Sequence, residues 1–134
     1  MVMTERIPHE FLDLFEKPSL SHVATLMPDG SPHLSPVWVD YDGQYILMNT
    51  AKGRRKEKNM RERPQVALDI VDPKNPFRFL SIRGRVVEIT EEGANKHRDR
   101  LDTRYLGITK YPPRDPQEIR CICKIVPERI IVNR

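Results

Sequence analysis

Apolar positions recur along this chain with two different periods. Phe11, Leu12 and Phe15 fall at helical spacing behind Pro8, which suits a first helical turn, and Lys17-Pro18 stops the run. This predicts a short helix from about Pro8 to Glu16, inside an N-terminal helical segment spanning 1–18. Beyond it the period falls to two. Leu20 to Met27 reads as a strand, and Pro28-Asp29-Gly30 turns the chain, because Pro presets φ and Gly accepts a positive one. Ser31 to Tyr41 reads as a second strand, with Asp42-Gly43 as a hairpin signal. Gln44 to Asn49 is apolar on both parities, so the third strand is expected to be covered on both sides.

Gly53 to Glu62 predicts a surface helix with Met60 as its one apolar anchor, stopped by Pro64. Gln65 to Val71 follows as a fourth strand with Val66, Leu68 and Ile70 on one face. Asp72-Pro73-Lys74-Asn75-Pro76 reads as a loop. Phe77 to Ile89 is a long fifth strand. One face carries Leu80, Ile82 and Val86 with Gly84 in their row, and Ser81, Arg83 and Arg85 interrupt the other. A glycine inside a strand marks a bulge or a close backbone approach, so the barrel is expected to bend there. Thr90 is positioned to cap a helix running to about Leu106, with Ala94, His97, Leu101 and Tyr105 as one stripe and Gly107 as its stop. Glu118 to Val126 is the last strand, which Ile130 to Val132 can continue. Six strands or so joined by hairpins, with helices at the periphery, give a mainly β (α+β) antiparallel barrel. The strand–helix alternation of a doubly wound sheet is absent.

Composition narrows this further. The 134 residues fit one domain, since chains divide into units of about 100–200 residues. Hydrophobic residues at 38% and charged residues at 31% describe a globular chain. No apolar run approaches the roughly 20 residues of a membrane span. Met1-Val2-Met3-Thr4-Glu5-Arg6-Ile7 lacks the apolar centre of a signal peptide, so a cytoplasmic location is expected.

The net charge of +4 is concentrated in one place. Lys52 to Arg63 holds seven cations and two acids, a local +5, while the rest of the chain sums to −1. A nucleic-acid binder spreads its positive charge over a face built from several elements and interleaves aromatic rings with it. Neither pattern is present, and one local cluster suits a small polyanion at least as well; a nucleic-acid-binding protein is the less favoured alternative. Here a strand ends at Asn49-Thr50, a turn follows, and a cation-rich helix begins, so helix-start amides and the guanidinium and ammonium groups of Arg54, Arg55, Lys56 and Lys58 can meet an anion. A merely solvated basic helix fits the spacing equally well.

The second candidate is Ser31-Pro32-His33-Leu34-Ser35-Pro36-Val37-Trp38-Val39. Two prolines remove two ladder donors, which places this strand at an edge or bulge. It is either an opened edge offered to a planar ligand or an edge strand packed by Trp38. Cys121 and Cys123 share an apolar strand face with Ile119 and Ile125 and read as core. The four histidines have no metal-ligand spacing, and His97 lies on the helix stripe.

Gly30-Ser31-Pro32-His33 with Ser35-Pro36-Val37-Trp38, then Thr50 with Arg54-Arg55-Lys56 and Lys58-Asn59-Met60, resemble the pyridoxamine-phosphate-oxidase-like split-barrel superfamily, in particular its branch using the deazaflavin coenzyme F420. Phe77 to Arg85 and Arg104-Tyr105-Leu106-Gly107 are similar to that branch as well. The resemblance implies a six-stranded split β-barrel, a homodimer with cofactor sites at the subunit interface, and hydride transfer to a small organic substrate. It implies a cofactor ring along Ser35, Pro36, Val37 and Trp38, and a phosphate meeting Asn49, Thr50, Arg54, Arg55, Lys56 and Asn59, with Lys58 nearby. FMN is the alternative cofactor, and an FMN-binding flavoprotein oxidoreductase or a non-catalytic flavin-binding module of the same fold is the alternative function; seven cations suit the longer polyanionic tail of F420 better. Arg83 or Arg85 would contact ligand across the interface or form a surface salt bridge. The substrate-binding Arg and His near the C-terminus of true pyridoxamine phosphate oxidases have no match in full, since no His follows His97. That departure argues against vitamin B6 oxidation.

Overall fold

The computed structural model describes residues 4–134, and Met1 to Met3 of the N-terminal stretch read above lie outside the described residues. A 3-10 helix, His9–Phe15, opens the chain and buries Phe11, Leu14 and Phe15. The strands are β1 (Leu20–Leu26), β2 (Pro32–Val37), β3 (Val39–Tyr41), β4 (Ile46–Ala51), β5 (Gln65–Asp72), β6 (Asn75–Thr90) and β7 (Arg120–Asn133). Helices α1 (Arg55–Glu62) and α2 (Ala94–Leu106) follow β4 and β6.

The strands form one antiparallel sheet in the order β2-β1-β5-β6-β7-β4-β3. Among the described residues there are seven, not the expected six, because the single strand expected over Ser31 to Tyr41 is two. β2 pairs with β1, whereas β3 pairs with β4 at the opposite edge. Only Trp38 separates them. A flat seven-stranded sheet would be roughly 29 Å across, while two residues of chain reach about 7 Å. The sheet must therefore curl until its edges meet at Trp38, giving a half-barrel with its seam there.

The inward faces close over one core. Val23, Val39, Ile46, Met48, Leu68, Ile70, Leu80, Ile82, Cys123 and Ile125 pack together, with Phe11, Leu14 and Phe15 covering one opening and Met60 anchoring α1. Burying an aliphatic side chain stabilises the fold by about 1.5–3 kcal/mol, so this cluster is the main source of stability. Gly84 lies in the buried row of β6 opposite Pro127, and the register shifts beside it as Glu128 is left over on β7. A bulge and a close backbone approach, the two features expected of a glycine inside a strand, both sit at Gly84. The expected 72–76 loop is instead a tight hairpin, with Asp72 paired to Asn75.

Helix α2 departs from expectation at its start. Gly93, at φ +74°, precedes it, and Thr90 accepts a hydrogen bond from the Glu92 amide rather than capping the helix. Cys121 and Cys123 are free and buried. Among the described residues no helix is long and apolar enough to cross a membrane.

Candidate functional site

Strand β4 delivers the chain to α1. Gly53, at φ +94°, makes the turn, and Arg54 stands in extended conformation before the first helical residue. Buried Glu57 accepts the Gly53 amide at 2.7 Å and pairs with Arg61, so one donor at this helix start is taken. Side chains carry most of the positive charge on offer.

Arg54 and Lys56 line a cavity of about 320 Å³ beside the seam. Pro36, Val37 and Trp38 form one wall, and Asn49 contributes from β4. Arg98, Leu101 and Tyr105 enter from α2, Arg120 from β7, and Ser19 to His22 from the start of β1. Lys56 Nζ donates to Ser35 Oγ at 3.3 Å, which joins Ser35 to the group. Seven expected residues, Ser35, Pro36, Val37, Trp38, Asn49, Arg54 and Lys56, thus come together.

The other four do not line this cavity. Side chains on β4 alternate, so Asn49 faces the cavity while Thr50 is fully buried with its hydroxyl unpartnered among the described residues. Asn59 is equally buried and donates from Nδ2 to Thr25 Oγ1 at 3.0 Å and Met27 Sδ at 3.4 Å, tying α1 to β1. Arg55 and Lys58 are exposed. Arg85 lies 3.8 Å from Glu128, and Arg83 is exposed on the outer face of the sheet.

The cavity is short of negative charge. Glu118 serves both Arg120, at 2.8 Å, and Arg54, at 3.9 Å. Arg98 pairs with Asp102 at 3.1 Å. No carboxylate among the described residues forms a salt bridge with Lys56. Burial, reinforced by the charges of Arg54 and Arg120, pushes its amine below the ordinary lysine value. Burial likewise lowers the Arg120 guanidinium and raises the Tyr105 phenol.

Two further features favour a planar, polar ligand. Trp38 and Tyr105 stack with centroids 4.8 Å apart and planes 9° from parallel, and the Arg98 guanidinium lies 5.9 Å from the Trp38 ring centre. Ser21 is 3% exposed, lines the cavity, and has no hydrogen-bond partner for its hydroxyl among the described residues. A buried hydroxyl without a partner carries a desolvation cost of about 1–3 kcal/mol, which a ligand acceptor would relieve. On the outer rim, Asp69 Oδ1 accepts the His22 amide at 2.7 Å and lies 3.1 Å from His22 Nδ1.

Ser21, His22, Arg98, Tyr105 and Arg120 were not identified from sequence. Arg120 carries the weakest signal, being one of many strand-flanking arginines. Tyr105 gave a signal in the α2 stripe, where it reads as core.

An antiparallel half-barrel with a cation-lined, aromatic-walled cavity at its seam is the architecture of the flavin-binding split barrels. A profile of the pyridoxamine 5'-phosphate oxidase family matches residues 7–132, and the chain belongs to that family. Among solved structures it is similar to an F420 reductase, at 32% identity over 93% of this chain and 98% of that one, with a TM-score of 0.82. It is similar at 27% identity to a conserved hypothetical protein from Mycobacterium tuberculosis, over 97% and 86% of the two chains, with a TM-score of 0.73. The General Stress Protein 26 from Bacillus anthracis shares the fold at 16% identity, over 92% of each chain, with a TM-score of 0.69. No curated protein matches the chain significantly. Family membership supports a flavin-binding oxidoreductase.

Proposed function

We propose that the protein is an F420-dependent oxidoreductase that transfers a hydride between reduced deazaflavin and a small organic substrate, with the cofactor held at a homodimer interface. The observation that carries this reading is the uncompensated positive end of the cavity. Among the described residues Lys56 has no acid partner and the Ser21 hydroxyl has no hydrogen-bond partner, while Arg54 and Arg120 share one glutamate, immediately beside an aromatic wall. A phosphate-bearing heteroaromatic ring satisfies both ends at once. The likeness to an F420 reductase supports the deazaflavin in particular.

In this reading Arg54, Lys56 and Arg120 hold the phosphodiester, and Pro36, Val37 and Trp38 lie against the ring. The bound deazaflavin supplies the hydride chemistry, and the protein binds, orients and excludes water. The dimer would cover the outward face of β2, β1, β5, β6 and β7. Leu34, Ala24 and Ala67 lie there in one cross-strand row, and Leu34 is 68% exposed. FMN is the second reading, favoured by membership of a flavin-binding family.

Titrating Trp38 fluorescence with F420 and separately with FMN tests this. Tight binding of one, abolished by Arg54→Ala with Lys56→Ala, supports the assignment and identifies the cofactor. Failure of both at tens of micromolar, weak for a cofactor site, overturns it.

A further inference from the structure

Outside the cavity, one carboxylate collects three basic groups from a single helix. Asp40 of β3 is 5% exposed. Its Oδ2 lies 3.2 Å from His97 Nε2 and accepts from Arg100 at 2.8 Å, while its Oδ1 accepts from Arg104 at 3.0 Å. Positions 97, 100 and 104 share one face of α2, because residues three and four apart are neighbours on a helix. Positions 98, 101 and 105 form the adjacent stripe and line the cavity. Whatever fixes the first stripe fixes the second.

A second connection runs through the histidine ring. Asn49 Oδ1 accepts from Arg120 Nε at 2.8 Å, which orients the amide. Its Nδ2 therefore faces the Ala94 carbonyl at 2.8 Å and His97 Nδ1 at 3.2 Å. Since Nδ2 can only donate, Nδ1 must accept, and the ring proton sits on Nε2, pointing at Asp40. Asp40, His97, Asn49 and Arg120 form one line with the donor and acceptor roles fixed at every link. Burial opposes ionisation of Asp40 most strongly, but the His97 hydrogen bond and the charge of Arg104 outweigh it, and the carboxyl stays well below the usual range.

We propose that Asp40 is the positioning residue of the cavity: through His97 and Asn49 it aims the Arg120 guanidinium at a ligand's phosphate, and through Arg100 and Arg104 it holds the α2 wall that carries Arg98 and Tyr105. Arg120 is the partner through which Asp40 reaches the ligand, and Asp40 itself touches none. This rests on the cavity taking a phosphate-bearing ligand, as proposed above.

The test is a double-mutant cycle read by titration with F420 and with FMN. Asp40→Asn should weaken binding at least tenfold, and most of that loss should vanish in an Arg120→Gln background. Additive losses would mean that Asp40 does not act through Arg120 and would overturn the line from Asp40 to the guanidinium. Because Asp40→Asn leaves Arg100 and Arg104 without their anion and can unfold α2, a second pair of variants isolates the line. His97→Gln can still donate to Asp40 and accept from Asn49, and should bind within a fewfold of the parent. His97→Leu keeps Arg100 and Arg104 on Asp40 but cuts the line, and should lose affinity about tenfold. Equal binding by both variants also overturns the proposal. If the parent protein binds neither cofactor, the reading of the cavity fails first. The ligand-free Trp38 emission, which reports the Tyr105 stack, then still decides whether Asp40 holds α2: an unchanged spectrum in Asp40→Asn refutes that half as well.

Discussion

Tyr105 lies flat against Trp38 while its hydroxyl accepts the Val39 amide at 3.4 Å, so one side chain of α2 braces both the ring and the backbone at the seam. An aromatic pair contributes about 0.5–1.5 kcal/mol beyond the area it buries. Tyr105→Leu should therefore lower unfolding stability by about 1–2 kcal/mol and shift the Trp38 emission. Chemical denaturation followed by fluorescence measures both in one experiment. Tyr105→Phe keeps the stack and should restore the emission but not the full stability.

Lys56 sets a pH dependence with a definite sign. In the ligand-free protein the charged amine is disfavoured by burial and by Arg54 and Arg120, so its proton is held less tightly than in the unfolded chain, where the ordinary value is 10.5. Its contribution to stability thus rises as pH climbs towards that value. A bound anion reverses the preference, so the Lys56 amine holds its proton more tightly in the complex. Affinity for FMN or F420 should fall as pH rises through the lowered Lys56 value, and Lys56→Met should flatten the profile. Titrations between pH 7 and 10 measure this; an unchanged slope in Lys56→Met would assign the dependence elsewhere.

Asn59 should behave as a structural residue. Its amide bridges α1 to Thr25 and Met27 inside the fold. Asn59→Ala strands the buried Thr25 hydroxyl and should lower stability by about 1–3 kcal/mol. Ligand affinity at saturating fold should stay within a fewfold of the parent, whereas Arg54→Ala should reduce it at least tenfold.

Gly84 has no room for a methyl group. A Cβ there would lie 2.6 Å from the Val126 carbonyl oxygen and 2.9 Å from Ile125 Cγ2, and the first of these is backbone. Gly84→Ala should lower stability by about 1–3 kcal/mol, the usual cost of overpacking. Thermal unfolding checks it, and a neutral result would mean that the β6–β7 bulge relaxes freely.

Arg78 ties the N-terminal 3-10 helix to the sheet, donating to Asp13 and Asp72. The Arg78 hydrogen bond holds the Asp13 carboxyl well below its ordinary range. That stabilisation is present above the ordinary carboxylate value and is lost as pH falls through the lowered one. Arg78→Met should make stability less dependent on pH on the acid side. Unfolding midpoints collected between pH 2 and 6 measure the difference in slope.

The turns and the basic helix were legible because their signals are local. Gly30 and Gly43 both adopt positive φ, and the Asp42 carboxylate accepts the Gln44 and Tyr45 amides beside the second of these turns. Gly84 announced the bulge for the same reason. The division of the second strand was not legible, because Val37 and Val39 look continuous until their partners at opposite sheet edges are known. The cavity was half legible. Trp38, Asn49, Arg54 and Lys56 lie on two short segments, whereas Ser21, Arg98 and Arg120 join them only through strand register and helix docking. Asp40 was hidden differently, since two residues before Asp42-Gly43 it reads as the approach to a turn.

The single-residue link at Trp38 makes barrel closure and ligand wall one piece of covalent chain. Lengthening it, even by one or two flexible residues, would loosen the seam and move the wall together, so pocket size cannot be tuned there independently of the fold. The connection from Gly107 to Ile119 carries no such double duty: it lies outside the sheet, and most of it is exposed. New ligand preferences in this scaffold are therefore open to selection at that connection and along α2, while the seam stays fixed in length.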